Sequence, residues 1–305
     1  MGQQRSCGGP QALRLTDPTC HHELMAQFTV GCVPYVNAIP LVEMFEEMGP
    51  ASPVRVIYRV PSELPSLLTS GEAQAILVSS VDALRVWDRR MAEGVCIGSK
   101  GPVKSVRLFS KKPFEQIQTL ALDASSMTSN RLVMILLAEQ FGIHPQTTPM
   151  APNLETMMES ADACVLIGDI GMMSDGSNLH VLDLGESWLK LTGKPFVWAA
   201  WIGDDKLTPD LVWWLQRAAA CAGNQQDGEP YYIWKNRESM VARAMQQANW
   251  PKEVAKDYFE NVMAYRMDAS MLAGLQEFRN RLLENGFSDA KWFPELVAAG
   301  EPVTN

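Results

Sequence analysis

The sequence predicts an α/β protein of two lobes, each a mostly parallel sheet flanked by helices, followed by a helical C-terminal tail. From Phe28 onwards, β-prone runs alternate with segments of helical periodicity, which favours parallel sheets. The alternation stops at Lys111-Lys112-Pro113 and then restarts, and after residue 203 the patterns are helical. A first series of strands and helices, a second series after a break, and a return of the chain to the first series are typical of two lobes joined by two crossovers. A ligand cleft is expected between the lobes, with the tail packed on the first.

This pattern divides the chain into three parts. Residues 26–110 and 204–298 are expected to form the first lobe, residues 111–203 the second lobe, and residues 1–25 a disordered extension. The extension is rich in Gly, Pro, Gln and Cys and lacks the apolar stretch of a secretory signal. We expect translation to start either there or at Met25. In both cases the chain is expected in the cytoplasm, where its cysteines stay reduced.

In the first lobe, strands are predicted where β-prone residues alternate with polar ones or form a short apolar run. VRVIYR alternates, and AILV is continuously apolar. Pro40 suits the first turn of the helix that follows the first strand. The predicted strands are 28–30, 54–59, 75–78, 95–98 and 103–110, and the predicted helices are 38–48, 61–71 and 81–90.

The second lobe and the tail follow from the same signals. Thr208-Pro209-Asp210 supplies an N-cap, a first-turn proline and an early acid for a helix that ends near Gly223. The predicted strands are 119–122, 163–167, 179–184 and 195–202. The predicted helices are 129–141 and 186–191 in the lobe, and 208–223, 230–247, 251–263 and 268–285 in the tail.

Composition excludes several classes of protein. A chain of 305 residues with 47% hydrophobic and 20% charged residues is ordinary for a globular protein of two lobes. No apolar run is long enough to span a membrane. A net charge of −9 argues against nucleic acid as a partner. The six cysteines form no CxxC motif, and Cys20-His21-His22 lacks zinc-site spacing, so no metal is predicted.

The candidate binding groups lie in turns at the carboxyl ends of predicted strands, where open α/β sheets bind ligands. The first of these turns, GCVPYVNAIP, carries a phenol, an amide and free backbone N–H groups, but no acid or histidine. This chemistry favours an anionic small molecule over acid–base catalysis by the turn. The other polar turns are Ser79-Ser80, the DASSMTS segment at 123–129, and Gly168-Asp169.

Several blocks resemble, in series, the chorismate dehydratase family of the futalosine route of menaquinone biosynthesis. They span roughly residues 27–280 and include VGCVPYVNAIPLV, GEAQAILVSS, GPVKSVRLFSKKP, LALDASSMTSNRL, VLIGDIG, LDLGESWLKLTGKPFVWAAW and ENVMAYRM. The resemblance implies the two-lobed fold of type II periplasmic binding proteins. The PYVNA run favours this family over its sister, which cleaves cyclic dehypoxanthinylfutalosine. One departure is Ile39, at a position where the family often has Arg.

The resemblance implies removal of water from chorismate to give 3-[(1-carboxyvinyl)oxy]benzoate. The ring C3 proton and the C4 hydroxyl leave, and the ring becomes aromatic. Because aromatisation drives the reaction, no cofactor or metal is expected. The substrate is a dianion, and hydrogen bonds to its ring carboxylate would stabilise charge that develops there.

Two carboxylates must therefore be bound. Hydroxyl and N–H groups at the start of the helix over 129–141 are expected to hold one, with the alternative that Thr128 or Ser129 simply caps the helix. A serine pair is expected to hold the other, with a simple turn as the alternative. Tyr35 is expected to flank the ring, whereas Phe196 and Trp198 fit core packing better. The carboxylate-binding candidates are Ser126, Thr128 and Ser129 at the helix, and Ser79 and Ser80 at the turn.

Two residues within the resembling blocks are expected to be catalytic. Asn37 can donate to the leaving hydroxyl or to the enolpyruvyl oxygen, and its alternative role is to cap the helix over 38–48. Ser105 alternates with Arg107 and Phe109 on one strand face near the crossover. A small residue in a packed sheet is its alternative role.

No histidine falls in a predicted cleft turn, so the chain offers no obvious base. A carboxylate such as Asp169 would be repelled by a dianionic substrate unless it were paired. Asp169 is therefore expected to bind by orienting neighbouring groups, and Asp123 to cap its own turn. The hypothesis is substrate-assisted catalysis, in which the enolpyruvyl carboxylate accepts the C3 proton while the protein supplies position and hydrogen bonds.

Other functions remain open at this stage. A solute-binding protein that captures a small anion without chemistry would have the same fold. The sister lyase would need a larger cleft with aromatic residues to stack a purine. A regulatory ligand-binding module is a third alternative. The expected partner is a small molecule, without nucleic acid or membrane, and the chain is expected to be a monomer or homodimer.

Overall fold

A computed structural model describes residues 26–85, 89–222, 237–288 and 293–300. The predicted disordered extension and part of the predicted helix over 230–247 lie outside these ranges. The described strands are β1 Phe28–Cys32, β2 Val54–Tyr58, β3 Ala75–Ser79, β4 Arg90–Ser99, β5 Arg107–Ser110, β6 Thr119–Asp123, β7 Gln146–Met150, β8 Ala163–Leu166, β9 His180–Asp183, β10 Phe196–Gly203, β11 Met263–Ala264 and β12 Glu295–Val297.

The helices alternate with these strands, as the sequence predicts. Within the described residues they are α1 Ile39–Met48, α2 Leu64–Thr69, α3 Ser80–Arg85, α4 Met127–Phe141, α5 Leu154–Ser160, α6 Gly168–Met173, α7 Leu184–Thr192, α8 Pro209–Ala222, α9 Arg237–Ala248, α10 Lys252–Asp257 and α11 Ala269–Glu284. None of the described helices combines the length and the hydropathy that crossing a membrane requires.

The strands form two sheets, one in each lobe. In the described residues the first sheet has the order β11-β4-β10-β3-β1-β2, with β12 also paired to β4, and the second has the order β7-β6-β8-β5-β9. Strands β1, β2 and β3 are parallel, whereas β10 is antiparallel to both β3 and β4. In the second sheet, β6 is parallel to β7 and β8, and β5 is antiparallel to β8 and β9.

The predicted two-lobed α/β class is confirmed, but each sheet is mixed rather than mostly parallel. The connections explain the mixture. The chain leaves the first lobe after β4 and returns along β10, so these neighbouring strands run in opposite directions. Sheet membership also differs from the expected division at 110 and 203: β5 pairs within the second sheet and β10 within the first. The chain thus crosses over at 100–106 and returns at 184–195.

Three local predictions need correction. The helix predicted over 81–90 ends at Arg85 within the described residues, and β4 already begins at Arg90. The strand predicted from 103 begins only at Arg107, because Lys104 has a left-handed φ of 61° that interrupts an extended chain. Strand β7 and helix α5 were not predicted. Strand β7 lies exposed at the edge of its sheet, so its sequence, QTTPM, carries few apolar residues that would indicate a strand.

Aromatic residues join the two lobes and the tail in the core. The rings of Trp188 in α7 and Phe196 in β10 are 5.3 Å apart, and Phe278 in α11 lies 4.9 Å from Phe196. The indole N–H of Trp198 donates to the hydroxyl of Ser99 at 3.1 Å. Phe196 and Trp198 therefore pack in the core, as expected, and α11 packs against the strand that returns to the first sheet.

Candidate functional site

The first loop lies at the carboxyl end of β1 and faces the second lobe. After β1 ends at Cys32, Val36–Ala38 forms one short 3-10 turn that leads into α1. Tyr35 is partly exposed, and the pKa of its phenol is raised by burial and by the charge of Asp123 at the end of β6. The 3-10 turn also packs against α6 of the second lobe. The loop therefore lies where the first lobe meets the second.

Asn37 does not cap a helix. The N-cap residue is Tyr35 for the 3-10 turn and Ala38 for α1, and neither side chain makes a capping hydrogen bond with the backbone. The side-chain oxygen of Asn37 is buried and has no partner among the described residues. An unsatisfied buried polar atom costs about 1–3 kcal/mol, so a water, a ligand or a residue outside the described ranges is needed to satisfy this oxygen.

Ile39 explains why the departure at this position need not affect the cleft. Its side chain is 2% exposed and belongs to the hydrophobic core. A residue that points into the core does not bind a carboxylate in the cleft. In this chain, position 39 therefore contributes packing of α1 rather than substrate contact.

Ser105 lies in the crossover before β5 and contacts a buried tyrosine. Its hydroxyl oxygen is 3.0 Å from the phenol oxygen of Tyr258, in a π-helical turn at Tyr258–Val262. Ser105 is 3% exposed and Tyr258 is 2% exposed, and burial raises the pKa of Tyr258 well above its ordinary value. Tyr258 was missed by the sequence analysis, because it follows α10 at a spacing typical of an ordinary core aromatic.

The crossover that carries Ser105 is fixed by Asp183. The carboxylate of Asp183 caps α7 and accepts hydrogen bonds from the backbone N–H groups of Val103, Lys104, Gly185 and Glu186, at 2.6–3.0 Å. This one side chain therefore joins the outward crossover to the start of the return segment. Its role also escaped the sequence analysis, since an Asp before a helix signals only a cap.

Asp169 lies in the first turn of α6, next to the Ser105–Tyr258 pair. Partial burial raises the pKa of the Asp169 carboxyl, and its charge in turn raises the pKa of Tyr258. Helix α6 is held by Arg107, whose guanidinium donates to the carbonyl oxygens of Gly171, Met172 and Ser174 at 2.6, 2.9 and 2.9 Å. The arginine that alternates with Ser105 in the sequence therefore positions α6 rather than the substrate.

The start of α4 contains the predicted anion-binding hydroxyls. Ser126 is the N-cap: its oxygen accepts from the Ser129 N–H, and the two hydroxyls are 2.9 Å apart. The Thr128 hydroxyl oxygen instead accepts the N–H of Val81 at 3.0 Å, which links α4 to α3 of the first lobe. The helix cap is therefore Ser126 rather than Thr128 or Ser129, and anion binding by this helix start stays a prediction.

Ser79 and Ser80 have partners inside the first lobe. The Ser79 hydroxyl donates to the carboxylate of Asp82 at 2.8 Å, as in a capped turn. The Ser80 hydroxyl donates to the carbonyl of Val197 at 2.5 Å, and Ser80 is fully buried. These contacts match the structural alternative, a simple turn before α3, and carboxylate binding by this pair stays a prediction.

Asp123 caps its turn as expected and has one oxygen to spare. One carboxylate oxygen accepts from the N–H and the hydroxyl of Ser125, at 2.9 and 2.5 Å. The other oxygen is buried and has no partner in the described part of the chain. The nearby Asn130 donates to the Asp123 carbonyl at 2.8 Å. Asp123, like Asn37, therefore has one side-chain oxygen that is unpaired in the described part of the chain.

The described residues offer no metal site and no reactive thiol. No group of three or more His, Cys, Asp or Glu side chains in these residues is arranged to hold a metal ion. Cys32, Cys96 and Cys164 are buried free cysteines, as predicted for the last two. Burial raises the pKa of Cys32 and of Cys164 to about 12, so both stay protonated near neutral pH.

Comparison with known proteins decides the family. A family model described as menaquinone biosynthesis matches residues 28–284. The chain belongs to this menaquinone-biosynthesis family. Over 195 residues it is 31% identical to chorismate dehydratase of Thermus thermophilus, an alignment that covers 58% of this chain and 70% of the relative. The family resemblance seen in the sequence blocks is thereby confirmed.

Solved structures confirm the fold of this family member. A protein of Archaeoglobus fulgidus matches with a TM-score of 0.63 and 15% identity, over 85% of this chain and 98% of that chain. The periplasmic aliphatic sulphonate binding protein of Escherichia coli matches with a TM-score of 0.57 and 13% identity, over 91% and 96%. At such identities the likeness concerns the fold alone, which is that of a two-lobed type II periplasmic binding protein.

Proposed function

We propose that this chain is a lyase that eliminates water from chorismate to give 3-[(1-carboxyvinyl)oxy]benzoate. The observation that carries the proposal is the buried side-chain oxygen of Asn37, which has no partner among the described residues, in a family member related to a chorismate dehydratase. An amide at this position can accept from the C4 hydroxyl and donate to a neighbouring ether oxygen. It can therefore orient the bond that breaks.

The substrate is held, in this proposal, between the first loop and the start of α4. Ser126 and Ser129 sit at the N-terminus of a helix of fifteen residues, where backbone N–H groups attract a carboxylate. Tyr35 flanks the ring from the opposite lobe. Because Ser79 and Ser80 are engaged within the first lobe, they contribute shape rather than a binding hydroxyl.

The proton is removed by the substrate itself. The enolpyruvyl carboxylate accepts the C3 proton, the electron pair of the C–H bond forms the new C3–C4 π bond of the ring, and the C4–O bond breaks. The departing hydroxide takes the proton from the enolpyruvyl carboxyl group and leaves as water. The Ser105–Tyr258 hydroxyl pair donates a hydrogen bond to the departing oxygen. Neither His144 nor His180 competes for the role of base, since both lie at the end of the second lobe that is distant from Ser105 and Asp169.

The first experiment is to incubate the purified chain with chorismate and to follow ultraviolet absorbance and product mass. We expect loss of one water per chorismate, without an added cofactor. Asn37→Leu and Ser105→Ala should each lower kcat by at least about tenfold, while Tyr35→Phe, which keeps the ring, should not.

Two results would contradict the proposal in different ways. Chorismate that raises the melting temperature but is not consumed would favour an anion-binding protein without chemistry. Complete loss of activity in Asp169→Asn, with the fold intact, would contradict substrate-assisted proton removal, because it would make Asp169 the base.

A further inference from the structure

A cavity lies where α3 of the first lobe meets α4 of the second lobe, outside the proposed catalytic site. It has a volume of about 330 Å³ and is bounded by α3, α4 and the segment after α11. Its lining includes Val81, Arg85, Met127, Arg131 and Phe287. In α3 and in α4, the arginine follows the apolar lining residue by four positions, so both share one helix face. The cavity therefore places two guanidinium groups, one from each lobe, beside the side chains of Met127 and Phe287.

The described lining of this cavity is basic. None of the described residues that line it is acidic, although the whole chain has a net charge of −9. Arg85 approaches the Asp82 carboxylate only at 4.0 Å, and its side chain is 54% exposed. The guanidinium carbon of Arg131 lies 4.8 Å from the centre of the Phe287 ring, and within the described ranges no carboxylate forms an ion pair with Arg131. Within the described ranges, the 4.0 Å pair with Asp82 is thus the one ion pair that either guanidinium group makes.

We propose that this cavity binds a small organic anion, a carboxylate attached to a flat apolar ring. A guanidinium matches a carboxylate through two parallel hydrogen bonds, and an arginine resting on an aromatic ring is already oriented for them. Phe287, Met127 and Val81 supply apolar contact for the ring of such a ligand, and the volume is near the lower end for ligand pockets.

The position of the cavity distinguishes it from the proposed catalytic site. The hydrogen bond between the Val81 N–H and Thr128 marks where α3 and α4 meet at their first turns. Arg85 and Arg131 lie about one turn further along these helices, away from the cleft. A carboxylate held by both arginines therefore bridges the lobes without occupying the cleft. The proposal does not rest on the reaction proposed above.

Calorimetric titration with benzoate tests the proposal, using Arg85→Met and Arg131→Met, with Arg55→Met, an exposed arginine of β2, as the matched control. We expect saturable binding to the unmodified chain and to the control. Each cavity variant should weaken binding by about tenfold or more, as expected for loss of a charge-assisted hydrogen bond. Arg131→Lys, which keeps the charge but not the planar fork, should fall between these results.

Further arms identify the site and the class of ligand. Asn37→Leu, a cleft variant, should leave the arginine-dependent binding unchanged. Absence of saturable heat, or unchanged affinity in both methionine variants, would overturn the proposal. Inorganic phosphate that binds as tightly as benzoate would overturn the assigned ligand class. Because calorimetry requires no turnover, a chain that ignores chorismate but binds benzoate through Arg85 and Arg131 would refute only the proposed reaction.

Discussion

Substitution of Gly171 by alanine should damage catalysis more than stability. A Cβ on Gly171 would lie 2.3 Å from the carbonyl oxygen of Ser105 and 2.7 Å from that of Leu166. Relief to 3.0 Å requires a movement of about 0.7 Å between α6 and Ser105. Helix α6 cannot move freely, because Arg107 holds its C-terminal carbonyls. Part of the movement must therefore fall on Ser105.

The magnitude follows from this displacement. Overpacking of this kind costs about 1–3 kcal/mol of stability, and a misplacement near 1 Å at a reacting centre costs about a hundredfold in rate. We therefore expect Gly171→Ala to unfold at lower denaturant concentration and to lose between about tenfold and a hundredfold in kcat with chorismate. Urea unfolding and steady-state kinetics measure the two effects.

Gly142→Ala is the matched control. Gly142 ends α4 with a φ of +68°, and a Cβ there would meet nothing within 4 Å. A left-handed alanine costs about 1–2 kcal/mol through backbone strain alone. This variant should therefore lose comparable stability and keep its kcat. Unchanged kcat in Gly171→Ala, or an equal loss in both variants, would refute the argument that α6 positions Ser105.

Three further predictions concern single hydrogen bonds and one titration. Tyr258→Phe should lower kcat by up to about tenfold with little change in KM. Ser105→Ala should lower kcat less in the Tyr258→Phe variant than in the unmodified chain, which steady-state kinetics of the double-mutant cycle would measure. Thr128→Val removes the hydroxyl that accepts the Val81 N–H across the two lobes, and it should raise KM for chorismate. The control is Thr119→Val, which removes the hydroxyl that accepts the Asp162 N–H within one lobe and should lower stability without raising KM. Hydrogen bonds from Lys112 and from two backbone N–H groups lower the pKa of Asp162 from 3.8 to about 2, so its stabilisation is complete above pH 4 and is lost as the pH falls towards 2. The stability difference between the unmodified chain and Asp162→Asn, measured by urea unfolding, should shrink over that interval.

The sequence predicts the fold better than the strand directions. Alternating β-prone and helical segments were sufficient for the two-lobed class, and Gly193 ends α7 in the left-handed conformation that a terminal glycine suggests. Direction could not be derived locally, because β10 is apolar whether it runs parallel or antiparallel to its neighbours. The edge strand β7 was not predicted at all, because it is exposed and its residues do not need to be apolar.

The candidate site divides along a similar line. Asn37 and Ser105 could be proposed from the sequence, because turns at strand ends and the family blocks drew attention to them. Tyr258 and Asp183 could not, since their roles depend on contacts made across more than seventy residues of sequence with the 103–105 segment. The hydrogen bond from the Ser80 hydroxyl to the Val197 carbonyl could not be predicted for the same reason, because a hydroxyl after a strand does not reveal a partner that lies 117 residues away.

The geometry around Lys104 indicates that the crossover is a fixed point. A non-glycine residue with φ near 61° is strained, and such strain persists only where the surroundings enforce it. Here the Asp183 carboxylate binds the Lys104 N–H at 2.6 Å, and the Lys104 ammonium pairs with Asp257 at 2.6 Å. Ser105 follows directly and meets Tyr258, which itself follows Asp257. The backbone conformation that places Ser105 is therefore held from both lobes, so opening of the cleft should move the first loop and α4 relative to a serine that stays in place.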